Sequence, residues 1–291
     1  MRKIYFFRFL ISSFFILLVL FIINGCNKIE PPYKENIISG SNTGNKLRKI
    51  LLEDYTGHRC GNCPRAAKEA HKLDSIYGEQ LIVISVHAGG FANPTNPNLD
   101  TTMVFDFRTS TGTELDNFFG ISAAGNPNGM INRIDYPSLT HIKAYSDWST
   151  IIDTMVAQAP TTYLTINNNY DASTRTLNTN IKTEFLQLLS SSYKLAVYIT
   201  EDSIVKPQLD YDLTPDTVYN YLHRHALRGA INSTWGDVIS SSGNIAPGDT
   251  IVKNYSFTLN NAWNDSHCAV IAFVYDAATY EIIQVEEKSV K

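Results

Sequence analysis

Two cysteines separated by two residues, in Cys60-Gly61-Asn62-Cys63, constrain the fold of this chain more than any other feature. The apolar segment from Lys49 to Tyr55 precedes them and predicts a short strand. From Cys63 to Tyr77, small and apolar residues recur at spacings of three and four, which predicts an amphipathic helix. A second apolar run, Leu81 to His87, predicts a strand covered on both faces. The cysteines therefore stand where a strand is followed by a helix, within an α/β pattern.

The alternation of strands and helices continues to about Pro160. The segment from Phe105 to Phe119 predicts a helix, and Met130 to Arg133 predicts a short strand. Apolar residues between Ile142 and Val156 are spaced as in a further helix, which Pro160 ends because proline lacks the backbone N–H that a helix needs. Residues 47–159 are therefore predicted to form one α/β domain.

From Thr161 onward the pattern changes to short strands separated by turn residues. Two clusters, Asn167 to Asn169 and Ser240 to Asn244, have the composition of turns. Several short strands at this spacing are typical of a sandwich, so residues 160–291 are predicted to form an all-β, Ig-like sandwich domain. The predicted strands are Tyr163–Ile166, Leu195–Ile199, Ile251–Leu259, Ala269–Tyr275 and Ile282–Val285.

The N-terminus has the pattern of an export signal. Arg2, Lys3 and Arg8 precede an apolar run, Phe9 to Ile23, which is shorter than the roughly 20 residues that span a membrane. The run is followed by Gly25-Cys26, and a small residue before a cysteine at this place resembles a bacterial lipobox. The resemblance implies cleavage before Cys26 and lipidation of its thiol, which anchors a chain in a membrane. An uncleaved signal-anchor helix is the alternative.

This signal divides the chain into a signal peptide at 1–25, a flexible tether at 26–46 and the two predicted domains. Removal of the three basic residues of the signal changes the net charge from −4 to −7. An acidic balance disfavours a general nucleic-acid partner, which needs a basic surface. Because 44% of the residues are hydrophobic and only 18% are charged, the chain has enough apolar surface for ordered cores.

The start of a helix is a place that favours thiol chemistry at Cys60 and Cys63. Free backbone N–H groups there carry partial positive charge, and this charge favours a thiolate over a thiol. Arg59 and Arg65 add cationic character to the same turn. Two intervening residues allow the second thiol to attack a mixed disulfide that the first has formed.

These residues resemble the thioredoxin-fold oxidoreductases over Lys49 to Ala159. Asp54 lies six residues before Cys60, as does the buried carboxylate of thioredoxins. The segment that leads through Asn126-Pro127 to the strand at Met130 resembles the thioredoxin loop that contains a cis-proline. The bond between Asn126 and Pro127 is therefore predicted to be cis.

The resemblance implies a role for each residue of the site. Cys60 is the attacking thiolate, Cys63 the resolving thiol, Asp54 assists proton transfer and Pro127 shapes a groove for a substrate peptide. Glu53 is the competing carboxylate, on the opposite face of the strand. This interpretation requires sulfurs that a substrate can reach and a Pro127 loop that faces them.

A closer resemblance covers nearly the whole chain after the signal. It is to the thioredoxin-like outer-membrane lipoproteins of Bacteroidota, the outer membrane protein 28 family, and it implies a location in the cell envelope. The segments that carry it are Leu52–Gly57, Cys60–Pro64, Asn126–Arg133, His225–Arg228 and Ala269–Val274.

Three functions follow as hypotheses. The first is a lipid-anchored thiol-disulfide oxidoreductase that acts on the thiols and disulfides of exported proteins. The second is a non-catalytic surface lipoprotein whose β-domain binds a protein or a glycan, with Cys60 and Cys63 as a static disulfide. The third is Cu(I) handling by the thiol pair with His58, His71 or His87. No cofactor is predicted, and the sequence defines neither the oligomeric state nor the redox direction.

Other polar residues are predicted to have structural roles. His58 is expected on a solvent-exposed turn, and His223 and His225 are expected to pack or to form hydrogen bonds. Cys268, left single, is expected to be a buried structural cysteine. The acidic residues of the segment 210–216 are expected to form a solvated loop.

Overall fold

The computed structural model describes residues 46–240 and 244–291, so the predicted signal, the lipidation of Cys26 and most of the tether lie outside the described residues. The first half alternates strands and helices, as predicted. Its elements are β1 (Ile50–Thr56), α1 (Cys63–Tyr77), β2 (Leu81–His87), α2 (Ser110–Phe119), β3 (Asn128–Ile131) and α3 (Trp148–Val156).

The second half is built from strands, as the sequence predicted. It also contains five strands that sequence reasoning missed, one over Thr176–Phe185 and four between Ile204 and Ser240. The strands are β4 (Thr162–Asp171), β5 (Thr176–Phe185), β6 (Tyr193–Glu201), β7 (Ile204–Leu209), β8 (Thr217–His223), β9 (Ala226–Ala230), β10 (Asp237–Ser240), β11 (Thr250–Thr258), β12 (Cys268–Asp276) and β13 (Ile282–Ser289).

One large mixed sheet joins the two halves. Its strand order is β13-β12-β6-β9-β2-β1-β3, and β10 also pairs with β6. Strands β1 and β2 are parallel, and β3 runs antiparallel to β1. The link between the halves is β9, which pairs with β2 through Ser85 and Ala226 and with β6 on its other side. The remaining described strands form a three-stranded sheet, β11-β5-β4, and a two-stranded hairpin, β7-β8.

Alternating side chains of the large sheet form cores on both of its faces. Helix α2 covers one face, where Leu115 and Phe119 pack with residues from both halves of the sheet. On the other face, α1 and α3 cover the β1 end, and the three-stranded sheet covers the β6 and β12 end. The period of two in a strand explains this division, because neighbouring residues point to opposite faces.

The boundary near Pro160 therefore marks a change in secondary structure, and the same sheet continues across it. All the described residues, 46–240 and 244–291, belong to one compact unit. The division into folding units at 47–159 and 160–291, and the Ig-like form of the second, stay predictions. No helix in the described part of the chain is both long and apolar enough to cross a membrane.

Three predicted segments differ in the structure. The helix expected between Ile142 and Val156 begins at Trp148, after a 3₁₀ turn at Tyr145–Asp147. The helix expected from Phe105 begins at Ser110, because the Thr109 hydroxyl caps it by accepting a hydrogen bond from the Gly112 N–H. The segment Asn167–Asn169, predicted as a turn, lies within β4 and pairs with Asn178–Asn180 of β5. Cross-strand pairing here outweighs the low strand propensity of asparagine.

An ion pair is buried beneath the sheet between β1 and the turn after β3. The Arg133 guanidinium donates two hydrogen bonds of 2.8 Å to the Glu53 carboxylate, and both side chains are almost inaccessible. The guanidinium carbon also lies 5.0 Å from the ring centre of Phe119 and 5.1 Å from that of Phe273. The charge of Glu53 is therefore balanced by Arg133, and Arg133 in turn contacts Phe273 in the second half of the chain.

We expect Glu53→Gln to lower the free energy of unfolding by about 3–5 kcal/mol, because it leaves the Arg133 charge buried without a partner. Equilibrium urea unfolding measures this loss. The matched control is Glu69→Gln, which removes an ion pair with Lys72 at 3.1 Å on the surface of α1 and should cost at most about 0.5 kcal/mol. Equal losses in the two variants would contradict the role given to Glu53.

Candidate dithiol site

The two cysteines of the motif form a disulfide at the start of α1. Cys63 is the first residue of the helix and Pro64 the second, a place where proline costs no helical hydrogen bond. A tight turn precedes them, in which the Cys60 N–H donates to the Gly57 carbonyl and the Cys63 N–H donates to the Cys60 carbonyl. The sequence therefore predicted correctly that the pair lies between a strand and a helix N-terminus.

Both cysteines are buried, each with 2% of its surface exposed. The requirement that a substrate can reach the sulfurs is therefore not met in this closed arrangement. Two segments contact the turn that carries Cys60. One is the loop at Phe91, whose carbonyl accepts a hydrogen bond from the Arg59 N–H, and the other is the end of β7.

The β7–β8 hairpin, residues 204–223, contacts this turn through backbone and side-chain hydrogen bonds. The Leu209 N–H donates to the His58 carbonyl and the Tyr211 N–H to the Gly61 carbonyl, each at 2.9 Å. The buried Gln208 carboxamide donates to the Cys60 carbonyl at 3.0 Å. These contacts join a strand end of the second half to the backbone of the cysteine motif.

Two ion pairs connect the tip of the same hairpin to helix α1. Arg65 donates to both carboxylate oxygens of Asp212, and Lys68 lies 3.2 Å from the Asp210 carboxylate. The expectation of a solvated acidic loop is therefore wrong for Asp210, which is 2% exposed, whereas the side chain of Asp212 is 40% exposed. The Arg65 guanidinium also holds the pKa of the Asp212 carboxyl below its usual range.

The ring of Tyr211 lies directly on Gly61. A Cβ atom at Gly61 would meet ring atoms of Tyr211 at 2.4–2.5 Å, closer than side chains approach. The glycine of the motif is thus needed for the close approach of the hairpin. Tyr211 is itself 58% exposed on its other side.

Asp54 is a buried carboxyl on the strand that precedes the motif. It is 1% exposed, and one of its oxygens finds no hydrogen-bond partner among the described residues. Burial raises the pKa of this carboxyl from 3.8 to about 7. Asp54 can therefore gain or lose a proton near neutral pH.

A cavity of about 220 Å³ lies behind the disulfide, between the sheet, α1 and the hairpin. Asp54 and Cys63 both line it, together with His87, Tyr221 and His223. The structure thus places Cys63, predicted to be the resolving cysteine, and Asp54, predicted to assist its proton transfer, at the same cavity.

The histidines near the site are buried and packed. His58, expected on an exposed turn, is 1% exposed, and its Nε2 lies 3.2 Å from the Met103 carbonyl. His87 stacks on Phe107 at 4.3 Å between ring centres, and His223 contacts the same ring. Burial holds the pKa of His87 well below its usual range and lowers that of His223 to about 4, so both are neutral at pH 7.

The bond between Asn126 and Pro127 is cis, as predicted. Pro127 directly precedes Asn128, the first residue of β3, which pairs with Tyr55 near the end of β1. Pro127 is partly exposed and does not line the cavity shared by Asp54 and Cys63.

The other candidate residues have structural surroundings. In residues 46–240 and 244–291, no three or more His, Cys, Asp or Glu side chains are grouped so as to hold a metal ion. Cys268 is a buried free cysteine, and its Sγ lies 3.3 Å from the Asn264 carbonyl. His225 pairs with Asp202, its Nδ1 being 3.5 Å from the carboxylate.

Together these features define a protein with a mixed α/β fold, additional β-sheets and a Cys60–Cys63 disulfide at a helix N-terminus, which is compatible with a thioredoxin-like site. A family profile described as outer membrane protein Omp28 matches residues 114–291. The chain belongs to this Omp28 family of outer membrane proteins, which places it in the cell envelope. No curated protein matches the sequence.

Two solved structures share the fold at low sequence identity, and a third is similar over a smaller part of the chain. HBP35 of Porphyromonas gingivalis is 19% identical. The match covers 85% of this chain and 76% of HBP35, with a TM-score of 0.60. A structural-genomics protein from Agrobacterium tumefaciens is 12% identical. The match covers 84% of this chain and 96% of that protein, with a TM-score of 0.51. A domain of the outer membrane lipoprotein Omp28 from Porphyromonas gingivalis is 17% identical. The match covers 46% of this chain and 91% of that domain, with a TM-score of 0.31.

We expect Asp54→Asn to stabilise the oxidised protein at pH 8 and to have little effect near pH 4. The reason is linkage: the folded state holds the Asp54 proton up to about pH 7, whereas the unfolded chain releases it from pH 3.8, so wild-type stability falls between these values. The full shift corresponds to about 4 kcal/mol. Urea unfolding of both proteins across this pH range measures the difference, and a pH-independent difference would contradict the raised pKa.

Proposed function

We propose that the protein is a lipid-anchored cell-envelope thiol-disulfide oxidoreductase that acts on exported proteins. The observation that carries the proposal is the cavity shared by Cys63 and Asp54, a buried carboxyl that titrates near neutral pH. A static disulfide does not need an uncompensated carboxyl behind it, and burying one costs stability. The helix N-terminus at Cys63 supports the same chemistry, because it favours a thiolate.

The exchange balances without a cofactor. In the reduced protein, the Cys60 thiolate attacks a sulfur of a substrate disulfide, and a mixed disulfide forms while one substrate thiolate leaves. Cys63 gives its proton to Asp54, attacks the Cys60 sulfur and releases the second substrate thiol. The substrate disulfide is reduced and the Cys60–Cys63 disulfide is formed. The reverse sequence oxidises a substrate dithiol.

The location follows from the family, and the anchor is part of the proposal. Lipidation of Cys26 would hold the described part of the chain at a membrane surface, where exported proteins pass. The same proposal keeps Pro127 as a residue of the substrate groove, supported by its position beside the end of β1.

Trapping of a mixed disulfide tests the catalytic roles. In the full chain, Cys63→Ser should accumulate a covalent complex with a disulfide-bonded substrate protein, because the resolving thiol is gone. The matched control Cys60→Ser retains one thiol of the pair and should trap nothing. Non-reducing electrophoresis with mass spectrometry measures both. Equal trapping by the two variants, or none by either, would contradict the assignment.

A redox titration in glutathione or dithiothreitol buffers separates an active couple from a structural one. We expect a potential between about −270 and −120 mV, the range of exchange-active proteins. A potential below about −300 mV would indicate a structural disulfide and would remove the catalytic proposal.

A second function, binding of a neutral glycan by the β half, is favoured by one surface. Asn167, Asn180 and Asn254 lie in a single cross-strand row of β4, β5 and β11, and the Asn180 carboxamide donates to that of Asn254 at 2.8 Å. Carboxamides both donate and accept hydrogen bonds, as sugar hydroxyls require. Asn254→Asp should abolish retention on neutral glycans, whereas the exposed Thr258→Ser on the same strand should not. Equal retention would contradict this function.

A further inference from the structure

We propose that the segment Gln208–Asp212 of the hairpin occupies the position of a substrate peptide at the dithiol, and that the substrates that replace it are extended acidic peptides. The inference rests on the proposed function, and it identifies the substrate class and the way in which access to the sulfurs is controlled. It also accounts for the burial of Cys60 and Cys63.

The first part of the segment is bound as an extended peptide is bound, and a turn follows in which the Leu213 N–H donates to the Asp210 carbonyl. Leu209 and Tyr211, two residues apart, donate their N–H groups to the carbonyls of His58 and Gly61. Alternate N–H groups of an extended chain point to the same side, so this pattern is that of a strand added to an edge. Such hydrogen bonds do not depend on side-chain identity, and another extended chain can make them.

The side chains of the segment show which charge the position accepts. Asp210 and Asp212, the residues on either side of Tyr211, meet Lys68 and Arg65 on the first turns of α1. Both cations belong to the helix that carries Cys63, so they remain at the site when the hairpin leaves. A replacing peptide with acidic residues at the same spacing would restore both ion pairs.

The hairpin is built so that its tip can leave while its base stays. At the base, His223 packs against Phe107 and His87, inside the molecule. At the tip, the Arg65–Asp212 pair is 43% and 40% exposed, so salt and water weaken it. Within the described part of the chain, β7 and β8 pair only with each other, so opening breaks no ladder of the large sheet.

The rate at which a neutral, water-soluble phosphine reduces the disulfide measures access to the sulfurs. In the full chain, Asp212→Asn should accelerate reduction about two- to fivefold, the range expected for loss of one exposed ion pair. Asp216→Asn makes the same charge change on the same turn without touching Arg65, and should leave the rate unchanged. Raising the salt to about 1 M should accelerate the wild type and not the Asp212→Asn variant.

A synthetic peptide tests the substrate class. The peptide of residues 206–214, KPQLDYDLT, should slow the phosphine reduction of the Asp212→Asn variant, because it refills the open position. The matched peptide KPQLNYNLT lacks both carboxylates and should not. Inhibition by both peptides alike, or by neither, would overturn the acidic specificity.

Equal reduction rates for Asp212→Asn, Asp216→Asn and the wild type would overturn the covering role of the hairpin. The phosphine reaction is irreversible, so its rate reads access whatever the redox potential is. Failure of the proposed oxidoreductase function would appear instead in the redox titration and in the Cys63→Ser trap. The two failures are therefore distinguishable.

Discussion

Two adjacent carboxyls on β1 are buried in opposite ways, and the site depends on this contrast. Glu53 faces the α2 side of the sheet, where the Arg133 guanidinium compensates its charge. Asp54 faces the α1 side, where no cation compensates it and its pKa rises to about 7. Because a strand alternates its faces, one short segment both fastens the sheet and supplies a group that can exchange protons behind the disulfide.

The continuous sheet makes the second half of the chain part of the site. Strand β9 pairs with β2, and the hairpin that precedes β9 is therefore held above the turn that carries Cys60. Gln208 and Tyr211 reach that turn from about 150 residues further along the chain. A thioredoxin-like half alone would leave the sulfurs without this cover.

The sequence predicted the parts of the site that depend on local patterns. The strand–helix–strand unit and the position of the cysteine pair follow from residues close together in the chain, whereas the cis bond at Pro127 and the interest of Asp54 came from the resemblance to thioredoxins. The β7–β8 hairpin was not predicted, because neither strand shows a clear alternation of apolar and polar residues and Pro207 interrupts β7. Burial of Asp210 depends on Lys68, a partner 142 residues away that no local pattern reveals.

The contact between Gly61 and Tyr211 has a consequence for how this dithiol can diversify. The residues between the two cysteines are those nearest the sulfurs, so changing them is the most direct way to adjust the chemistry of the pair. Here the Cβ atom of any larger residue at position 61 would clash with the ring of Tyr211. A change at position 61 that alters the reactivity of the cysteines therefore also disturbs the hairpin that covers them. A homologue that replaces this glycine should also carry a smaller residue in place of Tyr211.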